Sequence, residues 1–246
     1  MKDTIRASVI ELDSELASGL GGHERAQAQA VARARTRTLA EGEWDAIGEY
    51  RECTSWLGLL VVDGFLARRT TCGGETVIEI VGAGDLLRPW DHDDEYPMEG
   101  IQTGWQVLGE VRIALLDEGF AAGIAPWPPL TAAILARIGR RARWLGLRLL
   151  VSQIPGVEIR VLYLLWHLAE RWGELLDERL RIPIPLTHEQ IGELIGAQRP
   201  SVSHALSRLR EEGVRRVPGE GWEIPLRTPE ALGRMMRAGT CAFQPS

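Results

Sequence analysis

Arg199, Ser201, Ser203, His204, Ser207 and Arg208 place guanidinium, hydroxyl and imidazole groups close together near the C-terminus. At helical spacing they share one face, while Val202, Ala205, Leu206 and Leu209 form the apolar stripe of the other. Side chains of these types hydrogen-bond phosphate oxygens and base edges, so the chemistry they suit is recognition of duplex nucleic acid. The same spacing also fits an ordinary helical hairpin with a solvated polar face. The flanking residues decide between the two.

Thr187 and Gln190 have the spacing of a capping box, which starts a helix by satisfying two backbone N–H groups reciprocally. Ile191, Leu194 and Ile195 follow at helical spacing, and Gly196 supplies a turn. A second helix begins near Arg199, with Pro200 in a first turn that tolerates its missing N–H. Residues 214–217, 218–221 and 222–224 read as strand, tight turn and strand. That hairpin is a wing carrying Arg215 and Arg216 near phosphates. Leu180 to Leu186 reads as a short strand that its prolines confine to a sheet edge, where the wing could pair. The assembly is a winged helix-turn-helix.

These residues resemble the C-terminal domain of the Crp/Fnr family of bacterial transcription regulators. The resemblance is carried by Leu186, Thr187, Ile191, Gly192, Gly196, Arg199, Val202, Leu206 and Leu209. It implies an α+β protein with an N-terminal β-roll (jelly-roll-like) sensor, a long dimerisation helix and the winged helix-turn-helix. It also implies that Arg199 contacts a guanine in the major groove. Ser201, Ser203 and His204 would add base or phosphate contacts, and Arg208, Arg215 and Arg216 would anchor the backbone, with Thr187 beside them. Pro200 stands where the family usually has a polar or acidic base reader, and His204 where many members have Arg. The target sequence should differ accordingly.

The remaining chain fits a two-domain protein. It has 246 residues and a formal net charge of −6. Residues 1–136 hold 11 basic and 22 acidic side chains, and residues 137–246 hold 17 and 12. The −6 thus divides into −11 and +5, and the basic half contains the helix-turn-helix. No apolar run reaches the roughly 18 residues of a membrane span, and the N-terminus lacks the apolar core of a signal peptide. Cys53, Cys72 and Cys241 are scattered and odd in number, which suits a reducing cytoplasm.

After a helix expected over 11–32, β-type segments alternate with glycine turns: 34–39, 56–62, 65–71, 76–80, 105–108 and 113–116. Gly64 to Arg69, then Thr76 to Asp85, resemble the middle of the family's β-roll. Gly84, Asp85, Leu86 and Arg88 mark where its ligand pocket would lie. In cyclic-nucleotide-binding members a Gly-Glu and an Arg-Ser/Thr-Ala follow. Here Asp91, His92, Asp93, Asp94 and Glu95 stand instead, and their carboxylates would repel a phosphate. Cyclic nucleotide is therefore not the expected ligand, and the effector is unknown. The same five residues contain metal-ligand types, yet a solvated acidic loop accounts for them, and no metal is assigned. Three scattered cysteines do not supply an iron–sulfur cluster. Five of the nine tryptophans precede residue 128, giving either an aromatic pocket or core.

Between the halves a helix is expected over 130–153. Thr131, Leu135, Ile138, Ala142, Leu145, Leu149 and Ser152 alternate spacings of four and three, a heptad seam with Arg137, Arg140, Arg141 and Arg148 off it. Leu135, Ile138, Ala142, Leu145 and Leu149 are its dimerisation residues, and its position matches the family's dimerisation helix. Pro155 and Gly156 form a hinge, and a helix from Val157 to about Leu176 would pack under the winged helix. The expected domains are 1–129 (sensor), 130–153 (dimerisation helix) and 154–246 (DNA-binding). The expected partners are double-stranded DNA, a second copy of the chain and, for an activator, RNA polymerase, plus an unidentified small effector. Catalytic motifs are absent, including the His-x-His of a metal-binding cupin, Gly-x-Ser-x-Gly, HExxH and a Walker loop. The alternative is a winged-helix interaction module attached to a ligand- or metal-binding β-barrel.

Overall fold

The computed structural model describes residues 5–91 and 100–240. His92, Asp93, Asp94, Glu95 and Cys241 lie outside the described residues. Two units separate, Met1–Arg143 and Trp144–Ser246.

The first unit is built on an antiparallel sheet. Its strands are β1 (Arg6–Ser8), β2 (Arg33–Leu39), β3 (Gly42–Trp44), β4 (Gly58–Cys72), β5 (Glu75–Gly82), β6 (Leu86–Leu87) and β7 (Gln102–Leu116). They run in the order β1-β2-β7-β4-β5, with β3 added to β7 and β6 to β4. Period-two alternation gives the sheet two apolar faces. Ala34, Leu60, Ala114 and Leu116 face one core with Leu16, Phe120, Ile124, Leu130 and Ile134. Leu59, Val61, Ile113 and Leu115 face the other, where Trp44, Tyr50, Trp90 and Trp105 pack. This is the expected roll, with two corrections. Segments 56–62 and 65–71 are one strand, β4, because a bulge between Val61 and Phe65 shifts the register against β7 without ending the pairing. Segments 105–108 and 113–116 likewise belong to the single strand β7.

Helices α1 (Val9–Leu12), α2 (Gly22–Val31), α3 (Ala46–Tyr50) and α4 (Glu118–Ile124) complete the layer, with α5 (Pro128–Ser152) following. The helix expected over 11–32 is broken. Asp13 ends α1 and turns its carboxylate onto the N–H of Glu15 at 3.2 Å, opening a short 3-10 turn before α2.

In α5 the residues buried on one face are Leu130, Ile134, Arg137, Trp144 and Val151. Two of its guanidiniums reach inward carboxylates: Arg137 meets Asp13 at 2.7 Å, and Arg141 binds Glu79 through two bonds of 2.6 and 2.8 Å. One residue further along, the predicted seam stays open. Leu135 is 52% exposed, Ile138 and Leu145 are 41% and Leu149 is 69%.

The second unit contains α6 (Val157–Trp172), β8 (Glu174–Leu176), β9 (Arg179–Ile182), α7 (His188–Ile195), α8 (Arg199–Leu209), β10 (Arg215–Val217), β11 (Gly221–Pro225) and α9 (Thr228–Thr240). Its sheet runs β10-β11-β9-β8, all antiparallel. The wing does pair with the strand before the helix-turn-helix, but that strand is internal rather than an edge. Pro183 and Pro185 fall beyond the end of β9, so they remove no ladder bond. The helix expected to reach Leu176 stops at Trp172, and Glu174–Leu176 pair with β9 instead.

His167 of α6 lies flat on Trp144, with ring centroids 3.3 Å apart. Burial, helped by the positive charge of Arg171, pushes its pKa down to about 3. The 3.9 Å approach of Glu170 to its Nδ1 therefore involves a neutral imidazole and is no ion pair. Because the folded pKa is depressed, the unfolded chain takes up the proton first, and stability falls as pH drops from about 6.5 toward 3. Thermal unfolding of the second unit at pH 4.5 should show roughly 1–3 kcal/mol less stability than at pH 7. His167→Phe, which keeps a ring on Trp144, should remove most of that difference; an unchanged pH dependence would reject the assignment.

Candidate DNA-binding surface

The α7–α8 pair is held by local chemistry that the sequence prescribes. Thr187 Oγ1 accepts the N–H of Gln190 at 3.2 Å, and Gln190 Oε1 accepts the N–H of Thr187 at 2.9 Å, closing the capping box. Gly196 takes φ 65°, the left-handed conformation that ends α7. Gly192 is required by proximity, because a Cβ there would stand 2.3 Å from the carbonyl oxygen of Ala197. Val202, Ala205, Leu206 and Leu209 are buried, which turns the other face of α8 to solvent.

On that face Arg199, Ser201, His204, Ser207 and Arg208 are exposed. Ser203 is half-buried and its hydroxyl is 2.8 Å from His188 Nδ1, a bond that ties α8 to α7. Arg208 donates to Glu158 at 2.9 Å. On the wing, Arg216 is exposed, whereas Arg215 also pairs with the buried Glu223. Thr187 spends its hydroxyl on the cap. Burial first, then the charges of Arg216, Arg199 and Arg210, hold the His188 pKa below its usual range. Three guanidiniums from α8, its C-terminal end and the wing thus act on one point. Among the described residues none of the three has a carboxylate partner. Such a concentration of positive charge between an exposed helix and a wing is what a phosphodiester backbone neutralises.

His188, Arg210 and Glu223 are absent from the residues singled out in the sequence. Arg210 lies three residues beyond Ser207, so helical spacing could have found it. His188 and Glu223 carry no such signal, since their roles come from tertiary packing against Ser203 and from strand register.

In the first unit Gly84, Asp85, Leu86 and Arg88 gather at the end of β5 and at β6. Asp85 is buried and accepts the N–H of Gly82 at 3.0 Å, closing the turn. Arg88 pairs with Asp91 and donates to the carbonyls of Trp56, Leu57 and Thr54. Leu86 and Arg88 line a niche of about 160 Å³ with Arg68, Trp105, Ile138 and Arg141. Beside it Trp105, Trp44, Tyr50, Trp56 and Trp90 form a continuous chain of edge-to-face contacts at 6.0–6.4 Å. These rings pack the core on that side of the sheet.

Residues 159–235 match the Crp-like helix-turn-helix domain. A CRP-like cAMP-activated global transcriptional regulator of Mycobacterium tuberculosis (strain ATCC 25618 / H37Rv) is 30% identical over 176 residues, covering 70% of this chain and 75% of that one. Among solved structures, a mutant of CooA from Carboxydothermus hydrogenoformans superposes with a TM-score of 0.62 at 15% identity, over 91% of this chain and 94% of the other. FixK2 from Bradyrhizobium japonicum gives 0.57 at 17% identity, over 82% and 96%. These two likenesses concern the fold. No helix among the described residues is long and apolar enough to cross a membrane. From the sequence relationship and the helix-turn-helix match, the chain belongs to the Crp/Fnr family of transcription regulators.

Proposed function

We propose that this regulator reads an inverted-repeat DNA site as a homodimer, paired through residues 130–153. The observation that carries DNA reading is the exposed face of α8 beside the wing: Arg199 at its start, Arg210 at its C-cap and Arg216 on β10 all act on His188 and have no carboxylate partner among the described residues. Arg199 reads a guanine, Ser201 and His204 meet neighbouring bases or phosphates, and Ser203 sets the helix pose through His188. Arg208, Arg215 and Arg216 anchor the backbone, the first two by exchanging Glu158 or Glu223 for phosphate. The open seam of Leu135, Ile138, Ala142, Leu145 and Leu149 supports pairing, because a helix that already buries one face gains little from a second apolar one unless another chain covers it. Pairing sets the two recognition helices about 34 Å apart, one turn of DNA.

The β-roll is the sensor, and its effector shifts the population competent for DNA through the segment at Pro155 and Gly156. Although the mycobacterial relative is described as cAMP-activated, the niche of about 160 Å³ is smaller than the roughly 300 Å³ at which ligand pockets usually begin. That volume supports a sensor that does not take cyclic nucleotide in the usual way. Contact with RNA polymerase would follow if the regulator activates.

The test is selection of bound sequences from a random duplex pool by the full chain. Enrichment of an inverted repeat with half-sites one turn apart is the expected result. No enrichment by the full chain or by the intact second unit, residues 144–246, would favour a winged helix used for protein contact. On the selected site, Arg199→Ala should cost about 1–3 kcal/mol and relax the preference at one base pair per half-site. Equal weakening on every sequence would assign Arg199 to phosphate instead.

A further inference from the structure

The end of α7 is fixed from outside the helix-turn-helix. The last carbonyls of an α-helix have no acceptor role within the helix and need donors from elsewhere. In α7 the Gly192 carbonyl takes the N–H of Ala197 at 2.9 Å. Those of Leu194, Ile195 and Gly196 are reached by two guanidiniums. Arg148 of α5 donates through Nη2 to the Leu194 carbonyl at 2.8 Å. Arg160 of α6 donates through Nη1 to the carbonyls of Ile195 at 3.1 Å and Gly196 at 3.2 Å. The same nitrogen lies 3.4 Å from the carbonyl of Ser152, the last residue of α5. One side chain thus joins the end of α5 to the turn that launches α8. Both arginines are half-buried, and a cation at a helix C-terminus is favoured by the peptide dipoles. Arg148 immediately precedes Leu149, so the turn of α5 that carries the open seam also grips α7.

We infer that Arg148 and Arg160 are positioning residues for DNA recognition: they clamp the α7–α8 turn to the end of α5, so that the pose of the recognition helix follows the state of that helix. The inference rests on the DNA reading above. Neither guanidinium is assigned a phosphate. Their work is to hold carbonyls that would otherwise lose their partners when α7 is packed. A planar fork does this where an ammonium does not, because lysine offers a point charge without fixed donor directions.

The test uses the full chain with Arg160→Gln, Arg160→Lys and Arg148→Gln, and Arg216→Gln as comparator, on the selected site and on a random duplex across a salt series. The clamp variants should bind the specific site about ten- to a hundredfold more weakly, with random-duplex affinity and the salt slope unchanged. Arg216→Gln should lower that slope by about one. Arg160→Lys should remain close to Arg160→Gln despite keeping its charge. Amide exchange over 197–202 should quicken in the clamp variants with the melting temperature little changed. Should Arg160→Gln fail to fold, Arg148→Gln carries the test. A salt slope reduced as in Arg216→Gln, full rescue by lysine, or unchanged specific affinity overturns the clamp. If neither the wild-type chain nor its second unit alone selects a sequence, the DNA reading falls, and the clamp then stands or falls on amide exchange alone.

Discussion

A chain carrying Leu145→Glu and Leu149→Glu is expected to sediment as a monomer and to bind the inverted repeat at least about a hundredfold more weakly than the wild type. Both side chains are open to solvent, at 41% and 69% exposure, so the substitutions create neither a cavity nor a buried charge within one chain. Their expected cost to the fold is small. In the pair, each leucine covered is worth about 1.5–3 kcal/mol, and four facing carboxylates would replace them. Loss of the second half-site then removes the avidity that joins two modest half-site affinities into one strong one. Affinity for a single half-site should persist. A variant that stays dimeric would place the interface elsewhere on the chain, and a monomer with unchanged affinity would remove the need for pairing.

The sequence makes some parts of this molecule legible because their causes are local. The Thr187–Gln190 box, the glycine turn and the 3.6-residue stripe of α8 are set by residues within one or two turns of each other, and each appears where spacing puts it. The exposed apolar stripe of α5 is legible for the same reason. What sets β4 apart from two strands is not local: the bulge at Val61–Phe65 keeps its pairing only because β7 runs unbroken opposite it. Likewise Glu174–Leu176 looks helical by itself and becomes β8 because β9 offers a ladder.

Site residues divide in the same way. Exposed donors on α8 follow from helix phase. The hydrogen bond that draws Ser203 from the surface to His188, and the carboxylate of Glu158 that engages Arg208, depend on partners in other helices, while Arg215 meets Glu223 through the register of the wing hairpin. Arg88 illustrates the point in the first unit. It stands where the resemblance puts a ligand pocket, and its donors reach the carbonyls of Thr54, Trp56 and Leu57 and the carboxylate of Asp91.

Glu223→Gln should melt the wing. Strand register puts Glu223 directly between Arg215 on β10 and Arg181 on β9, and paired residues of an antiparallel ladder project to the same face. Its carboxylate receives Arg215 Nε at 2.8 Å, Arg181 Nη2 at 3.0 Å and Arg179 Nε at 3.1 Å. The Glu223 side chain is only 5% exposed. Burial alone would raise its pKa, but the hydrogen bonds from Arg215, Arg181 and Arg179 outweigh that and hold the carboxyl below its ordinary range. A neutral amide leaves three guanidiniums without their shared anion, and among the described residues only Arg181 keeps a second carboxylate, that of Glu220 at 2.5 Å. Removing one partner of a buried pair costs about 3–5 kcal/mol, which the partial exposure of the arginines reduces to roughly 2–4 kcal/mol. The second unit should therefore unfold about 10–20 °C earlier. Because the folded pKa is depressed, the wild-type contribution is complete above about pH 4.3 and is lost as pH falls through the folded value. The glutamine variant should lack this acid step while keeping the one that His167 causes at higher pH. Arg215 would also be released toward phosphate, so DNA affinity measured well below the melting temperature should fall less than stability does. A variant as stable as the wild type would show that the three arginines are held by the sheet itself, with Glu223 contributing little.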